Sequence, residues 1–419
     1  MQVISWDKSK IKRLSFLTSQ IYNKTLYRKV NRIVQDVYEK GDTAVRKYTK
    51  LFDNVTIPAN KLRVTEGEIN RAFGKISFKF VPFLKLITKN VRQYYECEKQ
   101  ESFRVKLEHG GFVGKKFNPI ERVGVYIPGG QAPLVSTVYM TVLPAQVAGV
   151  KDIIIATPPN KETGYIDPHI LVVANLLGVK EIYKIGGAQA IAAMAFGTKT
   201  MKKVDKIVGP GNEYVTEAKR QVYGFCDIDM VAGPSEVAIL ADSTANPDYI
   251  TCDLLAQAEH TSGVGILITN SKRLIDQVAP RIDTGYVIHV KSIEEGIKVV
   301  NEIAPEHLEL MIKDPELMMD QITHTGAIFI GDYSPAAVGD YFAGPSHVLP
   351  TGGTARFYSP LGVSDFLKSN QYINYSKEDL SNAREYICKI TEIEGMLQHR
   401  LSVETRFQDK IEEKANQGT

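Results

Sequence analysis

The feature that most constrains this chain is an alternation, from residue 122 onward, of short β-branched runs with segments long enough to be helices. The first series of runs is RVGVY (122–126), DIIIA (152–156), EIYKI (181–185) and KIVG (206–209). The second series is EVAIL (236–240), GILIT (265–269), GYVIH (285–289), HLELM (307–311) and GAIFI (326–330). Strands separated by helices pair in parallel and are covered by helices on both faces. We therefore predict an α/β fold with two doubly wound parallel sheets.

The two ends of the chain have a different pattern. The segment LYRKVNRIVQDVYEKGDTAVRKYTKLF carries apolar residues at helical spacing up to a break at Gly41 and Asp42. This spacing predicts paired helices within the first hundred residues. After Gly362 the apolar runs shorten and charged residues become more frequent. That change predicts a small helical tail rather than another sheet.

Composition narrows the range of partners. The chain has 419 residues, of which 43% are apolar, and its net charge is only +3. Its basic residues are scattered, which disfavours a nucleic-acid partner. The sequence has no apolar run of membrane-spanning length, and its N-terminus lacks the apolar core of a signal peptide, so we expect a cytoplasmic protein without a membrane partner. The four cysteines are far apart and form no C-x-x-C pair, so any bound metal needs nitrogen and oxygen ligands.

Three glycine-rich turns follow predicted strands. Their sequences are IPGGQAP (127–133), GGAQA (186–190) and GPGNEYV (209–215). Glycine lets backbone N–H groups approach a phosphate, and the helix behind each turn presents a positive end. A nucleotide could lie across these turns. None of them matches G-x-G-x-x-G, however, and from spacing alone the residues fit plain tight turns between strand and helix better than a dinucleotide site.

Two of the Glu-His dipeptides in the chain lie at 259–260 and at 306–307. On the predicted helix DLLAQAEH, Gln257 and His260 are three residues apart and share one face. They could bind a metal ion together, or they could hydrogen-bond to each other at a helix end. Glu306 and His307 follow a proline at the entrance of a predicted strand. They are either a reactive pair or an exposed loop pair.

Two more histidines have a carboxylate nearby in sequence. Asp340 and His347 are separated by a Gly-Pro turn, a spacing typical of a loop in which the aspartate caps the turn. Glu394 and His399 flank a glycine in the predicted tail. Taken alone, this second pair is typical of a surface helix.

Many blocks of this chain, in order, resemble the histidinol dehydrogenase family from about residue 25 to the C-terminus. The blocks are VGVYIPGG, APLVSTV, GGAQAIAAMAFGT, VDKIVGPGNEYVTEAKRQV, AGPSEV, DLLAQAEH, APEHLEL, GDYFAGPSHVLPT and EGMLQH. The resemblance implies a zinc- and NAD-dependent, four-electron oxidation of L-histidinol through an aldehyde to L-histidine, the last steps of histidine biosynthesis. It also implies a homodimer in which the tail of each subunit completes the active site of the other.

The resemblance assigns roles to individual residues. It implies one Zn²⁺ per subunit, with the ligands Gln257, His260, Asp340 and His399. It implies catalysis by Glu306, which would activate water for the second oxidation, and by His307, which would act as the base. The implied substrate contacts are Ser235, Gln257, His260, His307, Asp340, His347, Glu394 and His399. The implied NAD contacts are Tyr126, Gln189 and Asn212, one on or beside each glycine turn.

With this resemblance we expect two Rossmann-like domains and two helical end segments. Residues 1–25 form the N-terminal helical segment, and residues 362–419 form a tail docked on the partner subunit. Residues 26–122 plus 237–361 form a first α/β domain with the zinc and catalytic residues, and residues 123–236 form the NAD-binding domain.

Two other functions remain open at this point. One is a related dehydrogenase acting on a different polar alcohol. The other is a zinc hydrolase, in which Glu306 would activate metal-bound water and no nicotinamide would be consumed.

Overall fold

The computed structural model describes residues 1–5, 23–129, 133–259 and 263–407, and they divide into two compact units. The first unit is Met1–Lys99 with Pro119–Phe366, and the second is Gln100–Asn118 with the chain from Leu367 onward. The strands are β1 Gln2–Ser5, β2 Phe103–Lys106, β3 Phe112–Pro119, β4 Arg122–Tyr126, β5 Asp152–Thr157, β6 Glu181–Lys184, β7 Lys206–Val208, β8 Asp227–Ile228, β9 Glu236–Ala241, β10 Val264–Thr269, β11 Tyr286–His289, β12 His307–Met311, β13 Ala327–Ile330 and β14 Leu367–Asn374.

The α-helices connect these strands and cover their faces. They are α1 Lys24–Lys40, α2 Asp42–Asp53, α3 Glu66–Phe73, α4 Phe80–Glu96, α5 Val135–Ala148, α6 Pro168–Leu176, α7 Gly187–Phe196, α8 Glu213–Val222, α9 Pro247–Ala258, α10 Lys272–Val278, α11 Ile293–Ile303, α12 Ala336–Tyr341, α13 Lys377–Ile393 and α14 Leu397–Glu404. Within the described ranges, none of the helices combines the length and the apolar character needed to cross a membrane.

The first parallel sheet has five strands in the order β6-β5-β4-β7-β8. All neighbouring pairs are parallel, which confirms the strands predicted between residues 122 and 209. From β4 the chain proceeds outward through β5 and β6, then returns to the other side of β4 for β7 and β8. The order of the strands therefore reverses between β4 and β7. Ligands of open α/β sheets bind in the crevice at such a reversal.

The second parallel sheet has the order β1-β11-β10-β9-β12-β13. Its neighbouring pairs are also parallel, which confirms all five strands predicted between residues 236 and 330. Its order reverses between β9 and β12, so strands β9 to β13 repeat the topology of the first sheet. On one face Leu240 and Leu308 pack against α11, and on the other Ile239 and Met311 lie in one cluster with Leu254 of α9. Burial on both faces explains why these strands are almost continuously apolar.

The N-terminal strand corrects one expectation. The sequence predicts a helical segment over residues 1–25, but Gln2–Ser5 form β1, which pairs with Tyr286–His289. Residues 6–22 of that segment lie outside the described residues, and α1 begins at Lys24. Four residues are too few to show a reliable period, so the partner strand decides their conformation.

The paired helices predicted in the first hundred residues are present. The side chain of Asn23 accepts hydrogen bonds from two backbone N–H groups and caps the start of α1. Gly41 has φ +50°, which separates α1 from α2 at the predicted break. The predicted apolar stripe of α1, which includes Val30 and Val37, is buried in one cluster with residues of α7 and the first sheet.

The second unit corrects the prediction of a purely helical tail. Strand β14 adds to β2 and β3 in a three-stranded sheet, and only then do α13 and α14 follow. Asp379 of α13 forms a capping box with Ser376, and its carboxylate also accepts the backbone N–H groups of His109 and Gly111. The half-exposed, polar sequence of β14 lacks the apolar run that marks the buried strands. The exchange of this tail between subunits and the four-segment domain division stay predictions.

Asp53, the last residue of α2, generates a prediction about pH. Burial raises the pKa of its carboxyl group to about 6, against an opposing effect of Lys161. Its Oδ2 atom has no hydrogen-bond partner in the part of the chain that the structure describes. Between the ordinary value of 3.8 and about 6, the folded chain holds a proton that the unfolded chain has released. The contribution of Asp53 to stability therefore falls as the pH rises through this range.

We expect Asp53→Asn to remove this part of the pH dependence and to raise the free energy of unfolding at pH 7 by about 1–2 kcal/mol, a value reduced for residual solvent screening. Urea unfolding at several pH values between about 4 and 7 measures both effects. The exposed Asp276→Asn serves as the control. If the free energy of unfolding of Asp53→Asn changes with pH as steeply as that of the original chain, Asp53 is ionised in the folded protein.

Candidate active site

The residues at the starts of β9 and β12 form a buried cluster. Glu306 is 6% exposed and His307 is 5% exposed, so they are not an exposed loop pair. The Ser235 hydroxyl donates to Glu306 Oε2 at 2.5 Å, and the Glu236 backbone N–H donates to the same oxygen at 3.2 Å. The side-chain amide of Gln257 donates to the Ser235 hydroxyl at 2.9 Å. A hydrogen-bonded chain thus connects Gln257, Ser235 and Glu306.

His307 lies between two carboxylates. Its Nδ1 is 3.3 Å from the Glu236 carbonyl oxygen and 3.7 Å from Glu306 Oε2. Its Nε2 is 3.5 Å from Asp340 Oδ1 and has no hydrogen-bond partner among the described residues. Burial lowers the pKa of His307, but the charges of Glu306 and Asp340 outweigh burial and raise it to about 9. The two carboxylates therefore favour the protonated form of this imidazole.

Glu236 belongs to the cluster, although the sequence analysis missed it. It is 0% exposed and accepts hydrogen bonds from the backbone N–H groups of Gly352, at 2.8 Å, and Glu306, at 3.1 Å. Burial, and then the charge of Glu306, raise the pKa of Glu236 well above its ordinary value. The sequence contained a usable signal. The run EVAIL (236–240) begins an apolar strand with an acidic residue, Glu236, whose side chain is shielded from solvent there.

Asp340 and His347 extend the cluster, with one correction. Asp340 lies on the short helix α12 and not in the predicted loop. His347 Nδ1 donates to the Asp340 carbonyl oxygen at 3.0 Å, and its Nε2 is 3.3 Å from the Thr137 hydroxyl. Asp340 and His347 both line a cavity of about 470 Å³, a size suited to a small molecule.

Thr137 connects this cluster to the first sheet. It lies in the first turn of α5, the helix that follows β4. Two residues later, the Tyr139 hydroxyl donates to the Tyr341 carbonyl oxygen at 2.9 Å. The start of α5 is therefore in contact with the Asp340–His347 segment, next to the edge where β4 ends.

The second and third glycine turns meet at the end of β4, at the reversal of the first sheet, whereas residues 130–132 of the first turn lie outside the described residues. The hydroxyl of Tyr126 accepts the Gly187 backbone N–H at 3.0 Å, and burial raises the pKa of Tyr126 to about 12. Gly209 has φ +113°, and a Cβ there would lie 2.2 Å from the Tyr126 carbonyl oxygen, so this position admits only glycine. Asn212 uses its side-chain oxygen to cap α8, which leaves its amide N–H₂ group for another partner.

Gln189 stands behind the second glycine turn on α7. It is 0% exposed, and neither atom of its side-chain amide has a hydrogen-bond partner in the described ranges. A buried amide without partners is costly. The structure therefore brings Tyr126 and Asn212 to the crevice and places Gln189 on the neighbouring helix with unused hydrogen-bonding groups.

The predicted zinc ligands are only partly represented in this cluster. Gln257, on α9, contacts the cluster through Ser235. Asp340, on α12, contacts it through His307. His260 lies outside the described residues. Glu394 and His399 belong to the second unit, where both are exposed. Among the residues that the structure describes, no three His, Cys, Asp or Glu side chains are grouped as a metal would require.

Comparison with known proteins assigns the chain to a family. The family model described as histidinol dehydrogenase matches residues 18–407. The chain belongs to the histidinol dehydrogenase family. It is 46% identical to a histidinol dehydrogenase of Bacillus cereus, over 96% of this chain and 97% of that protein. It is 45% identical to a histidinol dehydrogenase of Clostridium acetobutylicum, over 92% of this chain and 93% of that protein.

A solved structure supports the same assignment to the histidinol dehydrogenase family. The crystal structure of histidinol dehydrogenase from Elizabethkingia anophelis matches with a TM-score of 0.91 and 37% identity, over 97% of this chain and 98% of the other. An acetylating aldehyde dehydrogenase from Geobacillus thermoglucosidasius matches at a TM-score of 0.50 and 11% identity, over 88% and 97% of the chains, which shows a shared fold alone. The family consists of NAD-dependent oxidoreductases, and this chain is an enzyme of that class.

Gly209, at the third glycine turn of this dehydrogenase, is held on both sides by a buried ion pair. Asp229 accepts the Gly209 N–H at 2.8 Å, and Lys219 donates to the Gly209 carbonyl oxygen at 3.0 Å. Lys219 and Asp229 also pair directly, and both side chains are buried. The pair thus fixes a backbone conformation that glycine alone adopts readily.

We expect Lys219→Met to lower the free energy of unfolding by about 3–5 kcal/mol, because it leaves the Asp229 carboxylate buried without its cation. Urea unfolding measures this loss. The double variant Lys219→Met with Asp229→Asn should recover part of it, since the remaining side chain is uncharged. Lys202→Met, at an exposed lysine, is the matched control. Equal stabilities of the Lys219→Met and Lys202→Met variants would contradict the prediction.

Proposed function

We propose that this chain oxidises L-histidinol to L-histidine through histidinaldehyde, with two NAD⁺ and one Zn²⁺ per subunit. The observation that carries the proposal is the buried acid–base pair at the start of β12, in which His307 Nε2 lacks a hydrogen-bond partner among the described residues. The family supports the substrate, since the relatives of this chain in Bacillus cereus and Clostridium acetobutylicum are histidinol dehydrogenases.

The first oxidation requires a base for the hydroxyl proton while hydride leaves the adjacent carbon for nicotinamide. His307 is the proposed base, because its Nε2 lies near Asp340 without a hydrogen bond among the described residues, while its Nδ1 lies against the Glu236 carbonyl oxygen. The proton passes to the imidazole, and the electron pair of the carbon–hydrogen bond passes to NAD⁺. The aldehyde results.

The second oxidation requires water at the aldehyde carbon before another hydride can leave. Glu306 is the proposed base for that water. Its burial raises its pKa and so strengthens it as a base, while the Ser235 hydroxyl and the Glu236 N–H hold the carboxylate in place. As water adds, the His307 imidazolium returns its proton to the aldehyde oxygen, so that the hydrate forms and His307 is again a base. His307 then takes a hydroxyl proton from the hydrate, and a second NAD⁺, when bound, would accept the hydride. The acid is the product.

The chemistry of the donors fits a zinc ion held by oxygen and nitrogen. Gln257 and Asp340 would supply oxygen ligands from one subunit, and His260 and His399 would supply nitrogen ligands, the latter from the partner's tail. When bound, such a metal orients the substrate and takes up negative charge. Asp340 is one of the two carboxylates that keep the proton on His307, so neutralising it favours the base form. Substrate contacts are proposed for Ser235, His347 and Glu394.

The nicotinamide cofactor is proposed to occupy the crevice of the first sheet, in contact with Tyr126, Gln189 and Asn212. Two observations support this placement: the strand order reverses beside Tyr126, and the Gln189 amide lacks partners in the described chain. The contact between Thr137 and His347 puts the crevice close to the acid–base cluster. Hydride transfer needs that proximity.

One assay tests the proposed function. Purified protein is incubated with Zn²⁺, NAD⁺ and L-histidinol, and NADH and histidine are both quantified. Two NADH per histidine is the expected result. NADH formation with another polar alcohol but not with histidinol would reassign the substrate, and product formation without NADH would favour a hydrolase.

Substitutions in the acid–base pair should separate the two half-reactions. We expect Glu306→Gln to slow oxidation of histidinaldehyde far more than oxidation of histidinol, because only the second step adds water. His307→Asn should slow both steps. The loss of an acid–base group typically costs about 10²–10⁴-fold. Each half-reaction is followed separately by NADH formation, and equal losses in both for Glu306→Gln would refute the division of roles.

The exchanged tail can be tested by complementation. If His399 completes the partner's site, a heterodimer of one His307→Asn subunit and one His399→Asn subunit contains one intact site and one doubly damaged site. Random exchange should yield such heterodimers as about half of all dimers, with activity well above either parent. Verified heterodimers without that gain would place His399 in the site of its own chain.

A further inference from the structure

A second buried carboxylate lies two residues beyond His307 on β12. Alternate residues of a strand face the same side, so Glu309 and His307 both point toward the face covered by α9. Glu309 is 1% exposed. No step of the proposed chemistry uses it, and an acidic side chain in this position is expensive to bury without a purpose or a partner.

Glu309 contacts two other elements that carry candidate site residues. Its Oε1 accepts the backbone N–H of Ala336, at 2.8 Å, in the first turn of α12. Its carboxyl group also lies close enough to that of Asp253 on α9 for the two groups to shift each other's pKa. Asp253 precedes Gln257 by one helical turn, and Ala336 precedes Asp340 by four residues on α12. The carboxyl of Glu309 therefore lies where the three elements carrying His307, Gln257 and Asp340 meet.

A contact between two carboxyl groups requires a proton. Two carboxylates have only acceptors, whereas a carboxylic acid donates one hydrogen bond. Glu309 Oε2 is buried and accepts no hydrogen bond from the described residues. Burial, and then the charge of Asp253, raise the pKa of Glu309 to about 8. The proton therefore resides on Glu309 at neutral pH, and the acid donates to Asp253.

We propose that Glu309 is a positioning residue: as a neutral acid hydrogen-bonded to Asp253 and Ala336, it fixes β12, α9 and α12 so that His307, Gln257 and Asp340 face one site. The expected effect of Glu309 on zinc affinity rests on the proposed function. Its consequence for the three elements does not, because the contacts of Glu309 are made with other residues of the chain.

Isosteric variants test the hydrogen bonds. Glu309→Gln keeps an oxygen for the Ala336 N–H and an N–H₂ group that can donate to Asp253, so zinc affinity should stay near that of the original chain. Glu309→Met keeps the length of the side chain and loses both bonds, so zinc should bind about 10–100-fold more weakly. Zinc affinity is measured by competition with a chromophoric chelator. Glu309→Gln should also keep kcat near that of the original chain, whereas Glu309→Met should lower kcat.

A control separates positioning from general destabilisation. Glu68 is also buried, and it pairs with Lys184 of the first sheet at 2.7 Å. Glu68→Met should lower the melting temperature and leave zinc affinity unchanged. Zinc affinity of Glu309→Met equal to that of the original chain would overturn the proposal. So would an equal loss in Glu309→Gln and Glu309→Met, because the negative charge, and not the hydrogen bonds of a neutral acid, would then be what matters.

Hydrogen exchange on metal-free protein decides the structural part independently. Glu309→Met should accelerate exchange of the Ala336 amide and of amides in α9, and Glu309→Gln should not. If the original chain neither binds zinc nor reduces NAD⁺ with histidinol, the proposed function fails, and this comparison still tests Glu309. Equal exchange at Ala336 in the two variants would overturn the positioning role whatever the metal result.

Discussion

The parallel pairing of β9 with β12 is the contact on which the candidate site depends. Its register places His307 opposite Val237, so Ser235 and Glu236 at the start of β9 come together with Glu306, which precedes β12, at one edge of the sheet. Seventy residues of chain separate these two segments, and they meet only because the strand order reverses between β9 and β12. The hydrogen bonds from Ser235 and Glu236 to Glu306 follow from that pairing.

The two parallel sheets share a topology, but their candidate site residues lie at opposite edges. In the first sheet, Tyr126 ends β4 and Asn212 follows β7, so the crevice lies at the carboxyl ends of the strands, where α/β proteins usually bind ligands. In the second sheet the acid–base cluster lies at the amino ends of β9 and β12. Contacts from α5 to the Asp340–His347 segment connect the two edges. The same strand order therefore carries candidate site residues at the carboxyl ends of the strands in one sheet and at the amino ends in the other.

The sequence predicted the parts of the fold that depend on local pattern. Every apolar run named between residues 122 and 330 is a strand, because burial on both faces requires continuous apolar sequence. Strands β1 and β14 were not predicted, since one has four residues and the other is polar and half-exposed. Their conformation comes from the neighbouring strand and leaves little trace in composition.

The same distinction holds for the site. Glu306 and His307 could be named from their place before a strand, and the resemblance supplied their partners. Glu236, Glu309 and Asp253 were missed because their importance is set by what faces them across the sheet. An acidic residue within an apolar strand was the available signal, and both EVAIL and HLELM contain one.

Strand β1 has a consequence for the behaviour of the molecule in solution. It pairs with β11 and covers backbone N–H and C=O groups that would otherwise line the edge of the six-stranded sheet. An uncovered edge is a template for strand addition by another molecule, and a very short outermost strand limits that hazard. The four residues of β1 therefore shorten the edge that the sheet offers to another molecule and limit strand addition there.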